Sequence, residues 1–221
     1  MTETCRCVVL VSGSGSNLQA LLDQAAAGSL GAEVAGVVSN RADAYALERA
    51  AAAGVATRVV DHTAFPDRGA FDAALEEAVA GLAPDLVVLA GFMRVLTPDF
   101  VARFKGRLIN VHPSLLPAFR GLHTHRKAME AGCRIHGTTV HFVTEDLDAG
   151  PIIAQAALRV RSDDTADSLR GRVQGLEHRL LPQVVHWFAS DRLHTVDNRV
   201  TVSDHPEPSG ELLAPAPDNA D

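Results

Sequence analysis

Cysteine is scarce. Cys5, Cys7 and Cys133 are too few for a disulfide framework. Cys5 and Cys7 stand where a first strand begins, so they read as small strand residues rather than metal ligands. No apolar run approaches the roughly 20 residues of a membrane span. The N-terminus Met1-Thr2-Glu3-Thr4-Cys5-Arg6 lacks the basic stretch, apolar stretch and small-residue cleavage site of a secretory leader. A cytoplasmic protein without a membrane partner is expected. Positive charge is short as well: 20 Lys and Arg stand against 27 Asp and Glu, a formal net charge of −7. Nucleic-acid binders draw affinity from neutralising phosphates, so no nucleic-acid partner is expected. A local basic pocket for one small anionic ligand stays open.

What is present is globular. The chain has 221 residues, 47% hydrophobic and 21% charged, which excludes a wholly disordered protein. At this length folding buries roughly 70% of the unfolded surface, enough for an ordinary core. Short β-branched runs alternate with Ala- and Leu-rich helical stretches. Val8 to Val11, Val34 to Val38, Thr57 to Val60, Leu86 to Leu89 and Leu108 to Val111 read as strands. Leu18, Leu21 and Leu22 recur at helical spacing. Ala44 to Ala53, closed by Gly54, and Arg68 to Ala80 read as helices.

Leu86 to Leu89 is apolar at every position, as in a strand buried on both faces. Strands separated by helices of about ten residues predict an α/β fold, a doubly wound, mostly parallel twisted sheet with flanking helices. Ligands then lie at the carboxyl ends of the strands. Later, His136 to Val143 and Ile152 to Val160 read as strands, and a long helix runs from about Thr165 to Phe188. Pro182 is expected to kink or interrupt it. One domain over 1–202 is expected, followed at 203–221 by a disordered acidic, Pro-rich tail.

Candidate chemistry sits in three stretches. Ser12-Gly13-Ser14-Gly15-Ser16-Asn17 joins a buried strand to a helix start, where glycines and first-turn N–H groups suit a phosphate. No Gly-Lys-Ser/Thr follows, and Leu18 stands where the dinucleotide fingerprint needs glycine. A phosphate monoester fits better than a pyrophosphate, with a tight turn capped by Ser or Asn as the equal alternative. Asn110 and His112 lie two apart at a strand end and project to one side, where an amide and an imidazole can polarise a carbonyl. A structural histidine at a polar strand end is the competing reading. Asp148, before Ala149-Gly150-Pro151, is either a turn former or a carboxylate that raises the pKa of His112 and orients its ring.

Ten histidines prompt a test for metal. His123 and His125 form an H-x-H pair and His136 and His141 lie five apart, without H-E-x-x-H or paired C-x-x-C spacing. No metal is expected, and structural or supporting roles fit these side chains. Gly13-Ser14-Gly15 is too short for a hydrolase nucleophile elbow.

Taken in order, Ser12 to Ala20, Val88 to Arg94, Asn110 to Pro117, Gly137 to Val143 and Asp148 to Pro151 resemble the phosphoribosylglycinamide formyltransferases (glycinamide ribonucleotide transformylases) in their monofunctional bacterial form. The similarity spans about residues 6–195. It implies a Rossmann-like formyltransferase fold and an enzyme of purine biosynthesis. Such an enzyme moves the formyl group of 10-formyltetrahydrofolate, a cosubstrate, to the primary amine of glycinamide ribonucleotide.

The resemblance also implies roles for residues. Asn110, His112 and Asp148 would be catalytic, and Gly15, Ser16, Asn17 and Glu177 would bind the ribonucleotide. Arg68 would lie near the folate's glutamate tail, and Met93, Arg94, Val95 and Leu96 would wall the pterin pocket. Thr144, Glu145, Asp146, Leu147 and Asp148, with Asn110, would complete the folate site. Small-molecule partners and a monomer or homodimer follow.

Arg120 departs from the pattern, which usually has proline there; arginine resembles formyltransferases acting on tRNA or sugar nucleotides. Leu122-His123-Thr124-His125 and the intact Gly15-Ser16-Asn17 loop favour the glycinamide enzyme. The alternatives are a 10-formyltetrahydrofolate hydrolase, in which water replaces the amine, and a non-catalytic folate-binding module.

Overall fold

A computed structural model describes residues 4–204. The expected tail therefore lies outside the described residues, apart from its first two. In chain order the elements are β1 (Cys5–Val11), α1 (Ser16–Ala26), β2 (Ala32–Ser39), α2 (Tyr45–Ala52), β3 (Thr57–Val59), α3 (Arg68–Ala80), β4 (Leu86–Leu89), α4 (Pro98–Arg103), β5 (Leu108–His112), α5 (Thr124–Glu130), β6 (Ile135–Phe142), β7 (Ile152–Arg159), α6 (Ala166–Ala189), β8 (Leu193–Val196) and β9 (Arg199–Val202). Seven strands form one sheet in the order β3-β2-β1-β4-β5-β6-β7. β1 to β5 are mutually parallel where they pair, and β6 and β7 add antiparallel. The sheet is α/β and mostly parallel, as the strand–helix alternation predicts.

Alternation along the central strands divides the core between two faces. Cys7, Val9 and Val11 of β1, with Leu86 and Val88 of β4, pack with Leu18, Leu21 and Leu22 of α1 and Leu181, Val184 and Val185 of α6. Val8, Leu10, Val87 and Leu89 point the other way, onto Phe71, Leu75 and Val79 of α3 and Phe100 and Phe104 around α4. A central strand buried on both sides has no polar position to spare, so function moves to the strand ends.

Local signals fix the helix starts. Asp67 caps α3 by accepting from the Ala70 N–H, and Thr97 caps α4 with Pro98 in its first turn. Thr165 and Ser168 form a reciprocal capping box at α6. Helix α1 is capped by Gly15, left-handed at φ 70°, with no side-chain cap bond, so the alternative of a Ser or Asn cap does not hold. Pro182 does not interrupt the helix, because α6 runs from Ala166 to Ala189. Val173 and Glu177 before the proline and Val184, Val185 and Trp187 after it are all buried, so both halves are held by packing. That packing outweighs the lost backbone hydrogen bond.

Candidate active site

Asn110 and His112 stand at the carboxyl end of β5, two residues apart. Ile109 and Val111 face the α1–α6 side of the core, which leaves Asn110 and His112 on the opposite face. Asn110 is the register partner of His141 on β6, so the imidazole of His141 joins them. Its Nδ1 lies 2.9 Å from the Phe142 carbonyl, which only an N–H there can satisfy, and the Asn110 amide donates to its Nε2 at 3.3 Å. His141 was left with a supporting role by sequence reasoning; only the strand register reveals how close it stands.

Asp148 comes from the loop between β6 and β7, which folds back over this face. Its backbone is left-handed at φ 49°, a conformation Asp tolerates better than most residues. Two residues on, a Cβ at Gly150 would lie 1.9 Å from the Phe142 carbonyl oxygen, so the return path admits only glycine. The carboxylate is 8% exposed. Its Oδ2 accepts from the Gly121 N–H at 2.9 Å and lies 3.4 Å from His112 Nδ1. Its Oδ1 lies 3.5 Å from Asn110 Nδ2 and 3.7 Å from His141 Nε2. The structure thus brings Asn110, His112 and Asp148 together.

The charge balance corrects one expectation. Burial pushes the His112 imidazole below its ordinary range, while the hydrogen bond from Nε2–H to the Phe119 carbonyl (3.0 Å) and the Asp148 carboxylate push it up; the net shift is downward. Asp148 acts in the expected direction, but desolvation of a ring 5% exposed is larger. For Asp148, burial raises the pKa, yet the contact with His141, the Gly121 N–H and the nearby His112 ring together leave it below the usual carboxylate range. The resting pair is a carboxylate beside a ring biased toward its neutral form.

The Ser12–Asn17 loop meets α6. Gly15 is required twice over: its φ is positive, and a Cβ would lie 2.5 Å from Ala46 Cβ. Ser16 Oγ accepts from the Gln174 amide at 2.7 Å, and Asn17 Nδ2 donates to Glu177 Oε2 at 2.8 Å. Glu177 is buried, which raises its pKa, and the Asn17 bond offsets part of that. Beside Ser16 runs a groove of about 350 Å³ lined also by Gln19, Asp23, Arg49 and His178. Sequence reasoning missed Arg49 and His178. Arg49 donates to the Ser14 carbonyl at 2.8 Å, a contact no local motif announces.

Met93 and Val95 are exposed large apolar residues, with Leu96 and Phe92 buried beneath. Leu147 and Leu122 are also exposed, and Thr144 to Leu147 form an open loop. Exposed large apolar side chains of this kind mark candidate ligand or partner surfaces. The Arg94 guanidinium lies over the Phe71 ring, 5.8 Å from its centroid, and Arg68 is exposed one turn earlier on the same helix. Arg120 is exposed, and its carbonyl accepts from Lys127 Nζ at 3.2 Å. His125 and His136 contact each other at 3.1 Å. Among the described residues no group of three or more His, Cys, Asp or Glu is arranged to hold a metal ion, and no helix is long and apolar enough to cross a membrane.

This fold, with a polar cluster at the end of its fifth strand, matches the formyl transferase family over residues 5–185, and the chain belongs to that family. It is a transferase. Among its relatives, the phosphoribosylglycinamide formyltransferase of Escherichia coli K12 is 51% identical over 191 residues, 86% of this chain and 90% of that protein. The human trifunctional purine biosynthetic protein adenosine-3 is 42% identical over 196 residues, 89% of this chain and 19% of that protein. Among solved structures, glycinamide ribonucleotide transformylase 1 from Symbiobacterium toebii superposes with a TM-score of 0.90 at 48% identity, covering 92% of this chain and 96% of that one.

Proposed function

We propose that this protein transfers the formyl group of 10-formyltetrahydrofolate to the primary amine of glycinamide ribonucleotide in purine biosynthesis. The observation that carries the reading is the meeting of Asn110, His112 and Asp148 on one face at the end of β5. The similarity to the bacterial formyltransferases, over most of both chains, supports the substrate pair.

The chemistry follows from the polarity of the groups. A buried, neutral His112 takes a proton from the substrate's ammonium, and Asp148 stabilises the imidazolium so formed. The freed amine attacks the formyl carbon, and negative charge develops on the formyl oxygen. Asn110 Nδ2–H donates to that oxygen, a contribution of about 3 kcal/mol, and the positive charge of the nearby protonated ring adds to it. A proton passes through water from the attacking nitrogen to N10 of the folate as the C–N10 bond breaks. The products are formylated ribonucleotide and tetrahydrofolate; His112 returns its proton to solvent.

Gly15, Ser16 and Asn17 hold the phosphate through first-turn amides, with Arg49 and His178 bordering the same groove. Glu177 contacts the ribonucleotide. Met93, Arg94, Val95 and Leu96 wall the pterin, the Thr144–Asp148 loop closes over it, and Arg68 meets the glutamate tail. The catalytic unit is one domain over 1–202, cytoplasmic, with small-molecule partners and no bound metal. Hydrolysis of the formyl-folate is not favoured, because the relatives carry the transferase name. Purified protein given both substrates should yield formylated ribonucleotide. Formate release that ignores the ribonucleotide, or no turnover by folded protein at saturating substrates, would sink the reading.

A further inference from the structure

The segment between β4 and α4 carries Met93 to Leu96 and contains no helix or strand. A chain without a ladder of its own must have its backbone groups satisfied from outside. Two buried side chains do this, one toward each end. The Met93 N–H donates to Ser12 Oγ at 2.8 Å, and the Thr97 N–H donates to Asp72 Oδ2 at 2.5 Å.

Ser12 is 7% exposed, and its own proton goes to Asn40 Oδ1 at 2.6 Å. Asn40 therefore fixes the direction of the hydroxyl, leaving its lone pairs for Met93. Asp72 is 2% exposed on α3, beside the otherwise apolar Phe71, Leu75 and Val79. Burying a carboxyl there is unfavourable unless a partner uses it. Thr97 uses Oδ2, while Oδ1 is buried with no partner among the described residues. Phe71, the preceding residue, carries the Arg94 guanidinium over its ring. One turn of α3 thus supports the segment at both Arg94 and Thr97.

We infer that Ser12 and Asp72 are positioning residues for formyl-folate: they suspend the 93–97 segment between two buried acceptors and set the pterin-facing wall. The inference rests on the reading of 93–96 as that wall. Neither Ser12 nor Asp72 has a hydrogen bond or ion pair to Asn110, His112 or Asp148 in the described structure. Asp72 also lies outside the Ser12–Asn17 loop, so its effect should fall on donor binding, while Ser12, which opens that loop, should affect the donor more than the ribonucleotide. A residue that merely stabilised the core would shift both substrates alike or neither. A wall misplaced by a fraction of an ångström should weaken one substrate selectively.

The test uses the full chain carrying Asp72→Ala, Asp72→Asn or Ser12→Ala. Separate KM values are measured for the formyl donor and the ribonucleotide, with calorimetric binding of tetrahydrofolate. Asp72→Ala should raise the donor KM and the tetrahydrofolate Kd about tenfold. The ribonucleotide KM should stay within about twofold. Asp72→Asn keeps an oxygen for the Thr97 N–H and should recover most of the loss. Ser12→Ala should raise the donor KM more than the ribonucleotide KM. Equal shifts for both substrates, or unchanged donor binding in Asp72→Ala, would overturn the inference. Should Asp72→Ala fail to fold, an unchanged donor KM in Ser12→Ala overturns it equally. Wild-type protein that binds no tetrahydrofolate would overturn the formyl-transfer reading and this inference with it; wild-type binding with indifferent variants overturns the inference alone.

Discussion

Asn17 and Glu177 are 160 residues apart in the chain, yet the Asn17 amide donates to the Glu177 carboxyl at 2.8 Å, joining the first turn of α1 to the middle of α6. Glu177 is 7% exposed, and burial raises its pKa while Asn17 lowers it. A raised carboxyl pKa means that ionisation opposes folding as pH rises through it. Glu177→Gln removes that cost and still accepts from Asn17. The thermal midpoint at pH 7.5 should therefore hold or rise, while the ribonucleotide KM increases about tenfold or more. A Gln variant that is both less stable and fully active would contradict both halves.

His112 can be followed by NMR without turnover. Its resonances should titrate below the ordinary imidazole value, because burial outweighs Asp148 and the Phe119 carbonyl. Since Asp148 pushes that pKa up, Asp148→Asn should lower it further. A rise in the variant would reverse the electrostatic assignment.

Turnover should depend steeply on the same three side chains. Asn110→Ala, His112→Ala and Asp148→Ala should each cut kcat at least about 100-fold with unchanged circular dichroism. Combining two of them should cost less than the product of the single effects, because they act as a unit. Near-normal turnover in His112→Ala would remove the proposed mechanism.

Acid should destabilise the fold through His136. Burial, with the charges of His125 and His112, holds its pKa at about 4 against an unfolded value of 6.5. Between those values the unfolded chain binds a proton that the folded chain refuses. This contribution is full above pH 6.5 and is lost as pH falls toward about 4, to the extent of about 3 kcal/mol. Urea midpoints measured from pH 7 to pH 4.5 should fall accordingly, and His136→Gln should flatten the slope.

Gly15→Ala tests the loop. The substitution meets a positive φ and a 2.5 Å approach to Ala46 Cβ. A loss of about 1–3 kcal/mol in stability and a larger rise in the ribonucleotide KM than in the donor KM are expected. Equal loss of both substrates would place the loop elsewhere in the mechanism.

What could be read from the sequence was local. Leu86 to Leu89 announces a buried strand because every position is apolar, and Arg68 to Ala80 forms a helix over the predicted bounds. Asn110 and His112 share a face through simple alternation. His141 needed the β5–β6 register, which no spacing encodes. Asp148 reaches His112 through a left-handed residue and a glycine with no room for a Cβ, a path set by tertiary contact rather than by composition. The direction of the His112 shift was missed for a similar reason: a carboxylate neighbour is legible in a motif, but the depth of burial is not. Helices α4 and α5 and the β8–β9 pair are four to seven residues long, too short to carry a period.

Asn110, His112 and Asp148 hang from the margin of a sheet whose central strands are sealed on both sides. β4 lies between β1 and β5 with all four residues buried, so its amides should exchange with solvent only when the whole sheet opens. The segments at 13–15, 93–96 and 144–147 belong to no strand or helix and lack that protection. Mild denaturant should loosen them first, erasing substrate binding at concentrations that leave the slow-exchanging amides of β1 and β4 untouched. Activity and fold should then be lost as two separate events, the first of them reversible on dilution.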